Sequence, residues 1–128
     1  MQEDLLKYSE DHEWIFLENS IATIGVSQYA LDELGEIVFI ELPEKDSDVT
    51  QKSEFGTIES VKTVSSIYAP VSGKIIDVNT TLADQPELIN SDPYNNGWLI
   101  KVEISDLSEL DSLLSFEEYQ LFLKTLVH

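Results

Sequence analysis

The sequence predicts a mainly β domain with one short helix near residues 28–34 and a helical C-terminal extension. Three observations carry that expectation. Between Glu13 and Ile104 the apolar residues fall in short β-rich runs divided by Gly, Pro, Asn and Asp. From Leu107 onward the apolar spacing changes to that of a helix. The 128 residues, 42% of them hydrophobic, suit a single domain (1–128) with a modest core.

Residues 13–17 (EWIFL) and 20–26 (SIATIGV) are β-rich and separated by Glu18-Asn19, so they read as a hairpin. Ser27 is placed as an N-cap, Gln28–Leu34 as a helix and Gly35 as its stop. Residues 36–42 (EIVFIEL) read as a buried strand ended by Pro43, followed by a charged turn at 44–48. Residues 55–60 and 66–69 read as strands flanking Lys62, and residues 74–79 (KIIDVN) as another. Residues 80–97 read as a long loop holding Pro86, Pro93 and an Asn95-Asn96-Gly97 turn. Residues 98–104 (WLIKVEI) alternate, which predicts one buried and one wet face.

In the C-terminal region Leu107, Leu110, Leu113 and Leu114 recur at helical spacing. Ser115 with Glu118 has the capping-box pattern, and Phe116, Tyr119, Phe122, Leu123 and Leu126 form a stripe expected to pack on the sheet. A weak internal echo links Gly35-x-Ile37-Val38-x-Ile40 with Gly73-x-Ile75-Ile76-x-Val78, on either side of Lys62.

The net charge of −18, spread along the chain, argues against nucleic acid and anionic membrane surfaces as partners, since both require clustered cations. It favours partners with basic surfaces. No apolar run approaches the roughly 20 residues of a membrane span. The N-terminal residues MQEDLLKYSE lack the pattern of a secretory or transit signal, so a cytoplasmic protein of bacterial type is expected, or a mature mitochondrial matrix protein.

There is no Cys, which removes thiolate nucleophiles, thiolate metal sites and disulfides. The two histidines, His12 and His128, lie in no nucleophile–base pattern, and no Gly-x-Ser-x-Gly elbow or phosphate-binding loop is present. Neither an enzyme nor a metal site is expected. Lys62 stands out instead. It is one of seven lysines in a chain without arginine, placed at the tip of the hairpin 55–69 and followed by an Ala69-Pro70-Val71-Ser72-Gly73 turn. Such a tip presents one amine to a modifying enzyme.

Longer segments then resemble, in order, the H proteins of the glycine cleavage system, a family of lipoyl carriers. They are Asp11-His12-Glu13-Trp14, Ala22-Thr23-Ile24-Gly25, the run from Leu34-Gly35-Glu36 to Glu41-Leu42-Pro43, Glu59-Ser60-Val61-Lys62, Tyr68-Ala69-Pro70-Val71-Ser72-Gly73, Asn90-Ser91-Asp92-Pro93-Tyr94 and Gly97-Trp98-Leu99-Ile100-Lys101. The resemblance runs from about Tyr8 to Leu123.

It implies a flattened β-barrel or sandwich of the lipoyl-domain (barrel-sandwich hybrid) type, with a core near residues 20–104 and a helical region near 107–127. It implies lipoate in amide linkage on Lys62, with Glu59, Ser60 and Val61 as the recognition motif. Val61 and Thr63 stand where biotin carriers place Met. The implied partners are a pyridoxal-phosphate glycine decarboxylase, a folate-dependent aminomethyltransferase, a dihydrolipoyl dehydrogenase and lipoate-attaching enzymes. Glu13 matches the glutamate of the family's arm cleft, where it is expected to hydrogen-bond the aminomethyl nitrogen. Two departures stand out: Ser66 replaces a frequent Asp, and Arg is absent. A lipoyl donor or relay for other lipoyl proteins is the alternative carrier role. An interaction module with Lys62 unmodified is the alternative outside that class.

Overall fold

In the computed structural model, which describes residues 2–126, the chain forms two antiparallel sheets flanked by short helices. The six-stranded sheet runs in the order β1 (Lys7–Tyr8), β2 (Glu13–Glu18), β3 (Ile21–Val26), β9 (Ile100–Ile104), β8 (Gly73–Val78), β5 (Asp48–Val49). The three-stranded sheet runs β4 (Ile37–Glu41), β6 (Glu54–Ser60), β7 (Val64–Tyr68). Helices α1 (Gln28–Leu34), α2 (Thr81–Asp84), α3 (Leu88–Ser91) and α4 (Phe116–Lys124) complete the elements, with 3₁₀ turns at Glu3–Leu5 and Leu107–Ser112. Ile24, Ile75 and Val102 from the large sheet meet Ile58 and Ile67 from the small one in the main apolar core. The arrangement is a sandwich and the sheets do not close into a barrel.

Local chemistry set several elements where expected. Ser27 Oγ accepts from Ala30 N–H at 3.4 Å, and Gly35 ends α1 at φ 84°. The hairpin of β2 and β3 pairs Glu13 with Val26 through to Glu18 with Ile21. Ser115 and Glu118 form both bonds of a capping box at the start of α4. Tyr119 of α4 stacks on Tyr8 of β1 at 4.4 Å and 3°, inside a second apolar cluster with Leu6, Trp14 and Tyr94. The C-terminal stripe is thus docking surface for this chain's own sheet.

Other elements differ. The strand expected at 98–104 begins at Ile100, leaving Trp98 before it with its ring 5.2 Å from the Lys101 ammonium. The second strand of the Lys62 hairpin begins at Val64, two residues early, leaving a three-residue tip of Val61, Lys62 and Thr63. The region 80–97 is not a plain loop. It folds into α2 and α3 and buries Leu82 and Ile89 fully. Leu107–Ser112 is a 3₁₀ turn with Leu107 exposed. The two glycines of the internal echo behave differently. Gly35 caps a helix, whereas Gly73 lies within β8 against the backbone of Glu103, where no Cβ fits.

The largest correction concerns β4. Expected to be buried throughout, it hides only Ile37 and Ile40. A bulge between Ile37 and Phe39 adds a residue opposite β6, and Val38 and Phe39 are both exposed. An apolar run is compatible with burial, but only the partner strand and the bulge decide which side chains face inward.

Candidate functional site

The site starts from the tip between β6 and β7. Glu59, facing Phe39 on one side and Val64 on the other, and Ser60 are the last residues of β6. Ser60 is buried and its hydroxyl organises the tip. It accepts from the N–H groups of Lys62 and Thr63, each at 3.1 Å, while Ser60 N–H donates to Thr63 O at 2.8 Å. Val61 N–H donates to Glu36 O at 3.1 Å, stitching the tip to the chain that leaves α1. The residues expected as a recognition motif therefore form one hydrogen-bonded turn that fixes the backbone under Lys62. Replacing Ser60 with Ala removes the acceptor for two amides. Its expected cost is about 1–2 kcal/mol, together with a several-fold loss of acylation efficiency, checked by urea melts and by acyl transfer to the unmodified protein.

Lys62 is exposed, and its Nζ donates to the Glu33 carbonyl at 2.9 Å, in the last turn of α1. Its stem passes Gly35, where an added Cβ would lie 3.4 Å from Lys62 Cε. Gly35 holds φ 84° and ψ −153°, a region nearly closed to residues with a side chain. Gly35→Ala is expected to cost about 1–3 kcal/mol through that strain, read as a lower urea midpoint, with the lysine stem displaced only slightly.

Helix α1 is itself held at both ends by the region 80–97. Tyr94 Oη accepts from Gln28 N–H at 2.8 Å at its start. At its end the Asn90 side chain donates to Gly35 O at 3.1 Å and accepts from Ile37 N–H at 2.9 Å. The motif Asn90-Ser91-Asp92-Pro93-Tyr94 is a clamp for the helix on which Lys62 rests, and Trp14 joins it by donating Nε1–H to Pro93 O at 3.1 Å.

Glu13 lies away from the tip, at the start of β2, and is only 2% exposed. Burial pushes its carboxyl up to about 8, against the opposing hydrogen bond from Ser9 and the Tyr68 backbone. The Ser9 hydroxyl donates to Glu13 Oε1 at 2.6 Å and accepts from Glu13 N–H at 3.1 Å. Ser9 was not singled out by sequence; a serine four residues before a buried glutamate is the signal that could have found it. The Tyr68 backbone beside Glu13 is the far end of β7, whose near end adjoins Lys62, so one strand links the two candidate residues.

His12 belongs to the scaffold. Its Nδ1 lies 2.8 Å from Tyr119 OH, which in turn lies 2.7 Å from Ser27 Oγ, and its ring packs against Tyr29. Burial holds its pKa below the usual value, and the ring joins α4 to the start of α1. His128 lies outside the described residues. Ser66 faces Thr57 in the small sheet, and no carboxylate replaces the missing Asp at that position. Among the described residues no helix is long and apolar enough to cross a membrane.

The family model described as Glycine cleavage H-protein matches residues 6–126. Curated glycine cleavage system H proteins from two strains of Staphylococcus epidermidis are 55% and 54% identical over 113 residues, covering 88% of this chain and 90% of each relative. The crystal structure of a glycine cleavage system H protein from Mycobacterium marinum superposes with a TM-score of 0.87 at 36% identity, covering 98% of this chain and all of that one.

Proposed function

The chain belongs to the glycine cleavage H-protein family, and from that premise we propose that Lys62 is its lipoyl attachment site and Glu13 the group that meets the loaded end of the arm. Membership makes the chain a lipoyl carrier of glycine cleavage and not itself an enzyme. The observation that carries the site is the tip: an exposed primary amine on a turn fixed by the Ser60 hydroxyl and by the Val61 bond to Glu36 O.

Acylation converts the Lys62 ammonium into a neutral amide and releases its bond to Glu33 O. The lipoyl dithiolane supplies the redox and group-carrying chemistry, and this chain supplies position and shelter. Laid along β7, an arm on Lys62 follows four residue steps from Val64 to Tyr68, roughly 14 Å, toward Glu13. An aminomethyl group on the sulfur would be lost if its nitrogen lone pair expelled the sulfur as thiolate, leaving a methaniminium ion that water would hydrolyse to formaldehyde and ammonia. A proton shared between the Glu13 carboxyl and that nitrogen would occupy the lone pair and block the loss. The absence of Cys means that no internal thiol competes for the arm.

The partners this requires are the decarboxylase that loads the arm, the folate-dependent transferase that unloads it, the flavin dehydrogenase that reoxidises it and the enzyme that attaches it. Reconstitution of lipoylated protein with the decarboxylase, glycine and labelled bicarbonate tests the reading. Glycine–bicarbonate exchange that requires the lipoylated form supports it. An acylated arm that never supports exchange would assign the chain to lipoyl relay.

A further inference from the structure

Eight large apolar side chains are exposed among the described residues, and five of them belong to the small sheet and its tip: Val38, Phe39, Val61, Val64 and Tyr68. Phe39, at 51% exposed, stands in one cross-strand row with Glu59 and Val64. The β4 bulge sets Val38 beside it. The exposed carboxylates Glu36, Glu41, Glu54 and Glu59 lie on the same strands or next to them, with Glu59 between Phe39 and Val64. Lys62 is the only basic residue in these three strands and their tip.

We propose that the bulge-presented pair Val38 and Phe39, with Val61 and Val64, is the docking surface for the enzyme that acylates Lys62, a partner with an apolar patch rimmed by Lys or Arg. The inference rests on Lys62 being the attachment site. Reach selects this partner over those that use the finished arm. An amine on a four-carbon stem enters a foreign active site only if that enzyme covers the residues beside the tip. Enzymes acting on the distal sulfurs meet the end of a much longer tether and need no such footprint. Charge agrees: carboxylates beside and between the apolar side chains complement a partner surface that carries Lys or Arg, and steer encounter. Phe39, on the edge strand β4, offers a large exposed aromatic surface to such a partner. In the acylation step, the deprotonated Nζ attacks the carbonyl carbon of an activated lipoyl adenylate. The amide bond forms, AMP leaves and a proton is released.

The test is steady-state acylation of the unmodified protein by an ATP-dependent lipoate-attaching enzyme, with lipoate and ATP. The Val38→Ser, Phe39→Ser double variant should raise KM for the protein about tenfold or more with kcat within about twofold. Leu121→Ser, at an exposed position of α4, should leave both unchanged. Wild-type kcat/KM should fall as salt rises. Footprinting of wild-type protein with the enzyme supplies a measurement that needs no variant, and Phe39 should be protected. An unchanged KM in the folded double variant, or an unprotected Phe39, overturns the proposal. So does a double variant that is acylated normally but loaded slowly by the decarboxylase, which would give the face to that enzyme. Wild-type protein not acylated at Lys62 would instead sink the attachment site itself.

Discussion

Lys62→Arg is expected to abolish lipoylation and reduce glycine-dependent turnover to background while leaving stability within about 0.5 kcal/mol. Arginine keeps the charge, a long apolar stem and donors able to reach Glu33 O, so the contact that orders the wild-type side chain survives. It lacks a primary amine, and its guanidinium stays protonated, so no acyl group is accepted. The variant therefore separates modification from fold. Urea melts, a lipoylation assay and glycine–bicarbonate exchange on the same preparation check it. Exchange retained by Lys62→Arg would show that the arm is attached elsewhere.

Glu13→Gln is expected to change two properties together. The Glu13 carboxyl is raised from 4.5 to about 8 by burial. A group whose folded pKa is raised contributes stability that is fully present below its unfolded value, near pH 4.5, and is lost as pH rises through about 8. Wild-type stability should therefore decline across that window. In Glu13→Gln, whose amide oxygen can still accept from Ser9, this part of the decline should vanish. The variant should gain on the order of a few kcal/mol relative to wild type at pH 9. In function the direction reverses. Glutamine has no carboxyl proton to share with the aminomethyl nitrogen, so ammonia loss from the loaded arm should accelerate about tenfold or more. Glu13→Ala should do the same while also emptying a buried site. Unchanged ammonia release in both variants would remove Glu13 from the arm's path. A wild-type stability profile that does not fall between pH 5 and 8 would mean that the carboxyl is not held neutral.

What was legible in the sequence was whatever short-range chemistry decides. The N-cap at Ser27, the glycine stop at Gly35, the hairpin across Glu18-Asn19 and the capping box at Ser115 each involve groups within a few residues of one another. The amine on a tip was legible for the same reason. Features set by distant partners were not. Val38 and Phe39 look like core in a run of apolar residues, and only pairing with β6 through a bulge turns them outward. Asn90 and Tyr94 sit in what reads as a loop, and only the packed structure shows them bonded to the two ends of α1. Glu13 was found by resemblance, whereas its burial and its bond to Ser9 depend on how the turn from Ser9 to His12 folds back on β2. The misread strand is also where the chain exposes Val38 and Phe39, two of the apolar side chains of the proposed docking face.

The central claim is that one lipoyl group resides on Lys62. Intact mass of the protein from its native source, followed by peptide mapping of residues 53–74, tests it most directly. The account predicts the mass of one lipoyl group, confined to the peptide that holds Lys62. An unmodified Lys62, in cells whose other lipoyl proteins are modified, would contradict it.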